Sequence, residues 1–218
     1  MVLGGLARDW EIVLVDDGSA DGTVEVARGA LGDDGSRLTV IRHEEQRGYA
    51  ATVCDGLRAS RGSTLAFMDG DGQFAATDLA PLVSRLDGAD LVGGYRRHRA
   101  DPWHRSVVSF TLNVLVRILY GVRQRDVDCG LKVMKREVFE AASPILARSA
   151  LFNTEIYFKA QRLGFRVAQL PVPHYPRVAG RRSGARLRPI LRAVRDLMRL
   201  RWQLARSWRK SSAIVRGS

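Results

Sequence analysis

Cysteine is scarce in this chain: Cys54 and Cys129 are the only two in 218 residues. Two such thiols build neither a disulfide framework nor a cysteine-ligated metal cluster, and they fit a reducing cytoplasm. Both read as buried or incidental thiols. No uninterrupted apolar run reaches the ~18 residues of a membrane-spanning helix, and the N-terminus lacks a signal-peptide pattern. The most apolar stretch, Val107 to Val122, is broken by Thr111, Asn113 and Arg117 and reads as a buried or interfacial helix. The four histidines (43, 98, 104 and 174) show no ligand spacing. There is no phosphate-binding Gly-x-x-x-x-Gly-Lys-Ser/Thr loop and no Ser-His-Asp or Cys-His arrangement, which disfavours ordinary nucleotide hydrolysis and nucleophilic hydrolysis. Acid, too, is missing from one end. From Arg177 onward there are 13 Lys or Arg and one acidic residue, Asp196, so this tail carries the whole net charge of +12. Such a tail suits an anionic surface.

What the chain does have is two acidic signatures, each at the end of an apolar run. Glu11–Val15 empties into Asp16-Asp17-Gly18-Ser19, and Ser63–Met68 empties into Asp69-Gly70-Asp71-Gly72-Gln73. Apolar runs ending in carboxylates and glycines predict buried parallel strands that open into the crevice where α/β proteins bind ligands. Strands expected at Glu11–Val15, Leu38–Arg42, Thr64–Met68 and Asp90–Gly93 alternate with helices at Thr23–Leu31, Gly48–Ser60 and Leu79–Leu86. That order predicts a doubly wound, mainly parallel sheet with flanking helices. Ser19 or Asp21 can cap the first of these helices. Beyond an Arg- and His-rich loop (96–105) come the long apolar helix ending near Tyr120, a strand at Lys132–Lys135, a helix at Asn153–Leu163 and a strand at Phe165–Pro171.

Asp69 and Asp71 place two hard carboxylates on one tight turn, which suits Mg²⁺ or Mn²⁺ with positions left for phosphate oxygens. Asp16 and Asp17 stand where carboxylates could read a nucleotide's base and ribose, although Asp-Gly-Ser is also ordinary turn chemistry. Arg96, Arg105 and Arg177 fall in loops beyond the expected sheet, where guanidinium groups clamp phosphates and are otherwise solvated. In the tail, Leu187, Ile190, Leu191, Val194, Leu197, Met198, Trp202, Ala205 and Trp208 share one helical face flanked by arginines. Arg and Trp on an amphipathic helix predict a membrane-interfacial segment; packing of the apolar face on the protein body is the alternative. The expected division is therefore a domain at 1–185 and a basic helix and tail at 186–218. The neutral remainder and the apolar stripe argue against a nucleic-acid partner.

Together these residues closely resemble glycosyltransferase family 2, and within it the polyprenyl- or dolichyl-phosphate sugar transferases. The matching pieces are Val15-Asp16-Asp17-Gly18-Ser19 with Asp21-Gly22-Thr23, then Arg47-Gly48-Tyr49, Met68–Gln73 and Gly94-Tyr95-Arg96. Asp126–Lys132 and Pro171-Val172, leading to Arg177 and Gly180, complete the series. The resemblance implies a GT-A fold and inverting transfer of a sugar from a UDP- or GDP-sugar to a lipid phosphate at the inner face of the cytoplasmic membrane. Carried over by position, Asp17 contacts the nucleotide, and Asp69, Asp71 and Gln73 hold a metal (Mg²⁺ or Mn²⁺) and the diphosphate. Arg96, Arg105 and Arg177 bind donor and acceptor phosphates, and Asp126 lines the acceptor side. Asp71, Asp126 and Arg105 are then the expected catalytic group. The implied partners are the nucleotide-sugar donor, a polyprenyl phosphate, an anionic membrane surface and, as an open expectation, a membrane protein.

The sequence departs from that family in three places. The usual opening strand, of the type Val-Ile-Pro-x-Tyr-Asn-Glu, is an inner strand of the sheet and is absent ahead of Glu11. Gln46 replaces the Asn of an Asn-x-Gly turn, and Gly70 replaces the Ala of Asp-Ala-Asp. Two other readings stay open: a saccharide or other lipid acceptor, with Asp126 or Asp128 as base, and a catalytically weak membrane-associated binding protein.

Overall fold

A computed structural model of the protein describes residues 2–7, 9–97, 103–176 and 194–206, with residues 103–108 described by backbone alone. Its strands are β1 (Ile12–Asp16), β2 (Leu38–Arg42), β3 (Thr64–Met68), β4 (Leu91–Arg96), β5 (Leu131–Lys135) and β6 (Val167–Val172). The helices are α1 (Val2–Leu6), α2 (Thr23–Leu31), α3 (Tyr49–Ala59), α4 (Leu79–Arg85), α5 (Trp103–Tyr120), α6 (Arg136–Ala142), α7 (Phe152–Arg162) and α8 (194–206). Asp21, not Ser19, serves the start of α2, its carboxylate accepting from the Thr23 backbone N–H.

The strands form two sheets. β1 and β2 pair in parallel, Ile12 opposite Leu38 through Asp16 opposite Arg42. The other four run in the order β3-β5-β4-β6. The expected parallel arrangement holds for β1–β2 and β4–β6, whereas β5 lies antiparallel between β3 and β4. The long connection through α5 brings the chain back to the same end of the sheet at which β4 leaves it, so β5 runs opposite to both its neighbours.

Period-2 alternation gives the four-stranded sheet two apolar faces. Leu65, Leu91 and Met134 point to one, packed with residues of α3, α5, α6, α7 and α8. Val92, Leu131, Val133 and Val172 point to the other, under Leu79 and Leu82 of α4, with Leu3 and Leu6 of α1 alongside. Leu91, Val92, Leu131, Val133 and Met134 are wholly buried.

β1 is different. The sequence predicts a buried strand, yet Ile12, Val13, Leu14 and Val15 are only partly covered. Among the described residues β1 pairs with β2 alone and β3 with β5 alone, so each has one edge without a neighbour. The two sheets are joined instead by α3, which packs on both β1 and β3, and by Glu11. The Glu11 carboxylate, just ahead of β1, accepts from the backbone N–H groups of Arg61 and Gly62, just ahead of β3.

The tail helix divides its apolar residues between two faces. Leu197, Leu200 and Leu204 enter the core, while Met198 and Trp202 remain exposed. This replaces the single stripe expected from the sequence, which joined Leu197 to Met198 and Trp202. Residues 177–193 and 207–218, including Arg177, Leu187 and Trp208, lie outside the described residues.

Candidate active site

The carboxylates cluster at the C-terminal ends of β1 and β3. Asp16 closes its own turn: its carboxylate accepts from the Ser19 N–H at 2.8 Å and pairs with Arg42 at 3.2 Å. The Ser19 bonds hold that carboxyl below its usual range. Asp17 ties down the neighbouring loop, accepting from the N–H groups of Arg47 (2.8 Å) and Gly48 (2.9 Å) and meeting His43 Nδ1 at 2.7 Å. Burial pushes the Asp17 carboxyl up, but His43 and the two amides together bring it below the ordinary value. Gly48 turns at φ +86°, a conformation open to glycine at little cost, and this aims its N–H into the Asp17 carboxylate. His43 continues the network to Asp55 at 3.2 Å, and Arg47 joins the same Asp55 at 2.6 Å.

Asp69 leaves β3 and settles on the turn ahead of β5. Its N–H donates to the Gly130 carbonyl at 2.9 Å, and a β-carbon at position 130 would collide with its carboxylate. Glycine is therefore needed there for close approach. Burial, opposed by Lys132 and reinforced by Asp71, pushes the Asp69 carboxyl up to about 6. Asp71 accepts from the Gln73 N–H at 3.1 Å across the tight turn, with Gly72 at φ +73°. Gln73 also reaches the chain beyond β6, its carbonyl accepting from the Tyr175 N–H (3.0 Å) and its side-chain amide donating to the Tyr175 carbonyl (3.4 Å).

Arg96, at the end of β4, and Asp126 were each expected to meet substrate; they meet each other. The guanidinium Nε and Nη2 donate to the two oxygens of Asp126 at 2.6 and 2.7 Å, in the bidentate geometry that suits this pair. Both side chains are about nine-tenths buried. Asp126 is thus committed to a guanidinium, which fits a group that orients Arg96 better than a free base. Arg105 stands in the first turn of α5, its side chain not described, and Arg177 lies outside the described residues.

Beneath the Asp69 turn is a residue that sequence reasoning passed over. Lys132, on β5, is completely buried. Its ammonium donates to the carbonyls of Val127 and Cys129 and to Asn153 Oδ1, and it lies 5.3 and 5.2 Å from the ring centres of Phe67 and Tyr157. Three donors meet three acceptors, so the 127–130 turn is pinned to α7 under Asp69. The signal in the sequence is a single lysine inside the apolar run Leu131–Met134. The Tyr49 hydroxyl is also buried here beside Asp69, and burial with the Asp69 charge raises its pKa well above the ordinary value. Cys54 and Cys129 are buried thiols, pushed up by burial to about 11.

Comparison with known proteins gives the chain its family and fold. The pattern described as Glycosyl transferase family 2 matches residues 4–142. The chain belongs to that family. It is 33% identical over 198 residues to the polyprenol monophosphomannose synthase of Mycolicibacterium smegmatis, covering 85% of this chain and 75% of that one. It is 31% identical over 176 residues to the undecaprenyl-phosphate 4-deoxy-4-formamido-L-arabinose transferase of Aeromonas hydrophila subsp. hydrophila, covering 80% of this chain and 53% of the relative. The chain thus spans about half the length of that transferase. Among solved structures, the glucosyl-3-phosphoglycerate synthase of Mycobacterium tuberculosis, in complex with Mn²⁺, UDP and phosphoglyceric acid, superposes with a TM-score of 0.68. It does so at 19% identity over 91% of this chain and 70% of that one. The fold of this family 2 member is the GT-A fold.

Proposed function

We propose that this protein is an inverting, metal-dependent glycosyltransferase that moves a sugar from a UDP- or GDP-sugar to a polyprenyl phosphate. The observation that carries the reading is the meeting of Asp69, Asp71, the Arg96–Asp126 pair and the Lys132-pinned turn at one end of the four-stranded sheet. Its relatives are named for sugar transfer to polyprenyl phosphates, and its structural neighbour carries Mn²⁺ and UDP.

The donor set fits a hard divalent cation. The two carboxylates stand on one tight turn and influence each other electrostatically, and burial raises that of Asp69 to about 6. Asp69 and Asp71, with the Gln73 amide oxygen, would hold the ion, Mg²⁺ or Mn²⁺. Bound there, it supplies positive charge against that developing on a leaving diphosphate. Asp16 and Asp17 shape the nucleotide end, Asp17 through the 43–48 loop it anchors. Arg96, fixed by Asp126, would provide cationic charge for phosphates, and Arg105 and Arg177 are proposed to do so from their match to the family's motifs. A phosphate monoester acceptor is ionised near neutral pH, so no strong general base is required. A lipid acceptor calls for work at a membrane surface, here the inner face of the cytoplasmic membrane with 186–218 as the basic segment. A membrane protein could assist there.

Calorimetric titration with UDP-glucose and GDP-mannose, with and without Mn²⁺, tests the reading. Metal-dependent binding of either is expected, and it should vanish in Asp71→Ala. The edges of β1 and β3, which have no partner strand among the described residues, favour a second reading, a membrane-associated binding protein with a weakened donor site. A folded protein that binds neither nucleotide-sugar would favour that one.

A further inference from the structure

We propose that α5 and α8 together form a membrane-docking face, with Phe110, Val114, Ile118, Met198 and Trp202 as its apolar surface and an anionic phospholipid bilayer as its occupant. The inference rests on the lipid-phosphate acceptor proposed above, since a bilayer is where that substrate resides. Its test uses no turnover, so either reading can fail alone.

On α5, Val116 and Tyr120 turn into the core, whereas Phe110, Val114 and Ile118 follow one another at four-residue spacing on the outer face. They are 70%, 37% and 73% exposed. On α8, Leu197, Leu200 and Leu204 turn inward, and Met198 and Trp202, again four apart, turn out at 54% and 59%. The two helices meet at the last turn of α5. The Tyr120 hydroxyl donates to the Leu197 carbonyl at 2.6 Å, and Arg201 Nε donates to the Leu119 carbonyl at 2.8 Å. Because both inner faces enter one core cluster, the outer stripes border a common surface. Of the nine large apolar side chains exposed among the described residues, five lie on these two helices. Scattered exposed apolar residues need no explanation, but a paired stripe does.

Charge selects the occupant. Arg117 on α5 and Arg195, Arg199 and Arg206 on α8 rim the stripe, and Asp196 is the only acid of α8. The Arg206 guanidinium lies 4.3 Å from the Trp202 ring centre, so this exposed indole carries a cation beside it. Apolar side chains with Trp, flanked by arginines, match the boundary between acyl chains and anionic headgroups. A second copy of this face would bring arginine rim against arginine rim, which disfavours self-association.

The test is vesicle flotation of the full chain with phosphatidylglycerol–phosphatidylcholine vesicles, against phosphatidylcholine alone. The unaltered protein should float with the anionic vesicles and weaken with added salt. The pair Phe110→Ser with Ile118→Ser, and separately Met198→Ser with Trp202→Ser, should each weaken binding roughly tenfold or more. Phe110→Leu with Ile118→Leu, which keeps the apolar area, should bind as the unaltered protein does. If the α5 serine pair floats unchanged, the basic tail alone holds the membrane and the two-helix face is overturned. If the unaltered protein ignores anionic vesicles and sediments as a dimer that the α5 pair dissociates, the face belongs to a second copy and the proposal also falls.

Discussion

The two sheets of this molecule are made of similar sequence and live in different surroundings. β1 reads Ile-Val-Leu-Val and β5 reads Leu-Lys-Val-Met, yet the lysine-bearing strand is the buried one. β5 has a hydrogen-bonded neighbour on each side and a packed layer on each face; among the described residues β1 has one neighbour, and none of its residues belongs to either core cluster. Burial is thus decided by the count of neighbours and not by the apolarity of the strand. The polar chemistry follows the same division. The four-stranded sheet and the helix α7 packed on it carry buried polar groups with complete sets of partners, Lys132 under the Asp69 turn and the Glu155–Lys159 pair at 2.6 Å. The β1–β2 unit is tied on by partly exposed bridges through Glu11, Asp17, His43 and Asp55. The proposed metal turn therefore stands on the rigid part of the protein, and the proposed nucleotide end on the part with least to hold it.

The sharpest way to break that contrast is Lys132→Met. The substitution leaves two carbonyls and the Asn153 amide oxygen buried without a donor, and it should cost about 3–5 kcal/mol in urea unfolding. No single polar substitution in β1–β2 should approach it. Next come matched truncations. Leu91→Ala, at a wholly buried site, should lose about 2–5 kcal/mol, and Leu14→Ala, half covered, about 1 kcal/mol. Equal losses would mean that β1 is as firmly packed as β4.

Asp90 gives the contrast a pH dependence. It stands at the head of β4, and its carboxylate takes bonds from the Arg166 side chain and N–H and from Lys135 at 2.8 Å. Hydrogen bonds from Arg166, then from Lys135, hold its carboxyl far below the usual range. The folded pKa lies below the unfolded one of about 3.9. Its stabilisation is therefore present above that value and lost as pH falls through the folded pKa. Asp90→Asn should lower stability at neutral pH by about 1.5–3 kcal/mol and flatten the acid limb of a melting-temperature profile below about pH 4. An unchanged acid limb would remove Asp90 from the clamp.

Much of this was legible in the sequence, because alternating apolar runs with carboxylate and glycine exits specify βα order locally. Strand direction was not. β5 is antiparallel because of where α5 delivers the chain, and no residue of Leu131–Lys135 encodes that. The tail shows a second limit: with apolar residues on both sides of α8, spacing alone cannot say that Leu197, Leu200 and Leu204 meet the core and Met198 and Trp202 do not. Within the site, Asp69 and Asp71 stand at a strand exit, a position read from neighbouring residues. Arg96 and Asp126 are thirty positions apart, and that they satisfy each other is a property of the folded chain. His43 was hidden for the same reason, since its partners Asp17 and Asp55 come from two other segments.

The smallest expected effect is the most discriminating. Glu11→Gln keeps the shape of the bridge between the two sheets and removes its charge, while the Arg61 and Gly62 N–H groups keep one acceptor. Its side chain is 16% exposed and its Arg61 partner 84% exposed, so the global loss should be no more than about 1 kcal/mol. Native-state hydrogen exchange should register it unevenly: the amides of β1 and β2 should exchange faster, and those of β4 and β5 should not change. Because Asp16 and Asp17 sit at the far end of β1, nucleotide-sugar affinity should weaken with the same substitution, although Glu11 is at the opposite end of that strand. If exchange accelerates equally in both sheets, the molecule opens as one unit and the unpaired edges of β1 and β3 carry no mechanical meaning. If it accelerates in β1 and β2 alone, the site is assembled from two bodies of different stability, and donor affinity depends on how often the weaker one is in place.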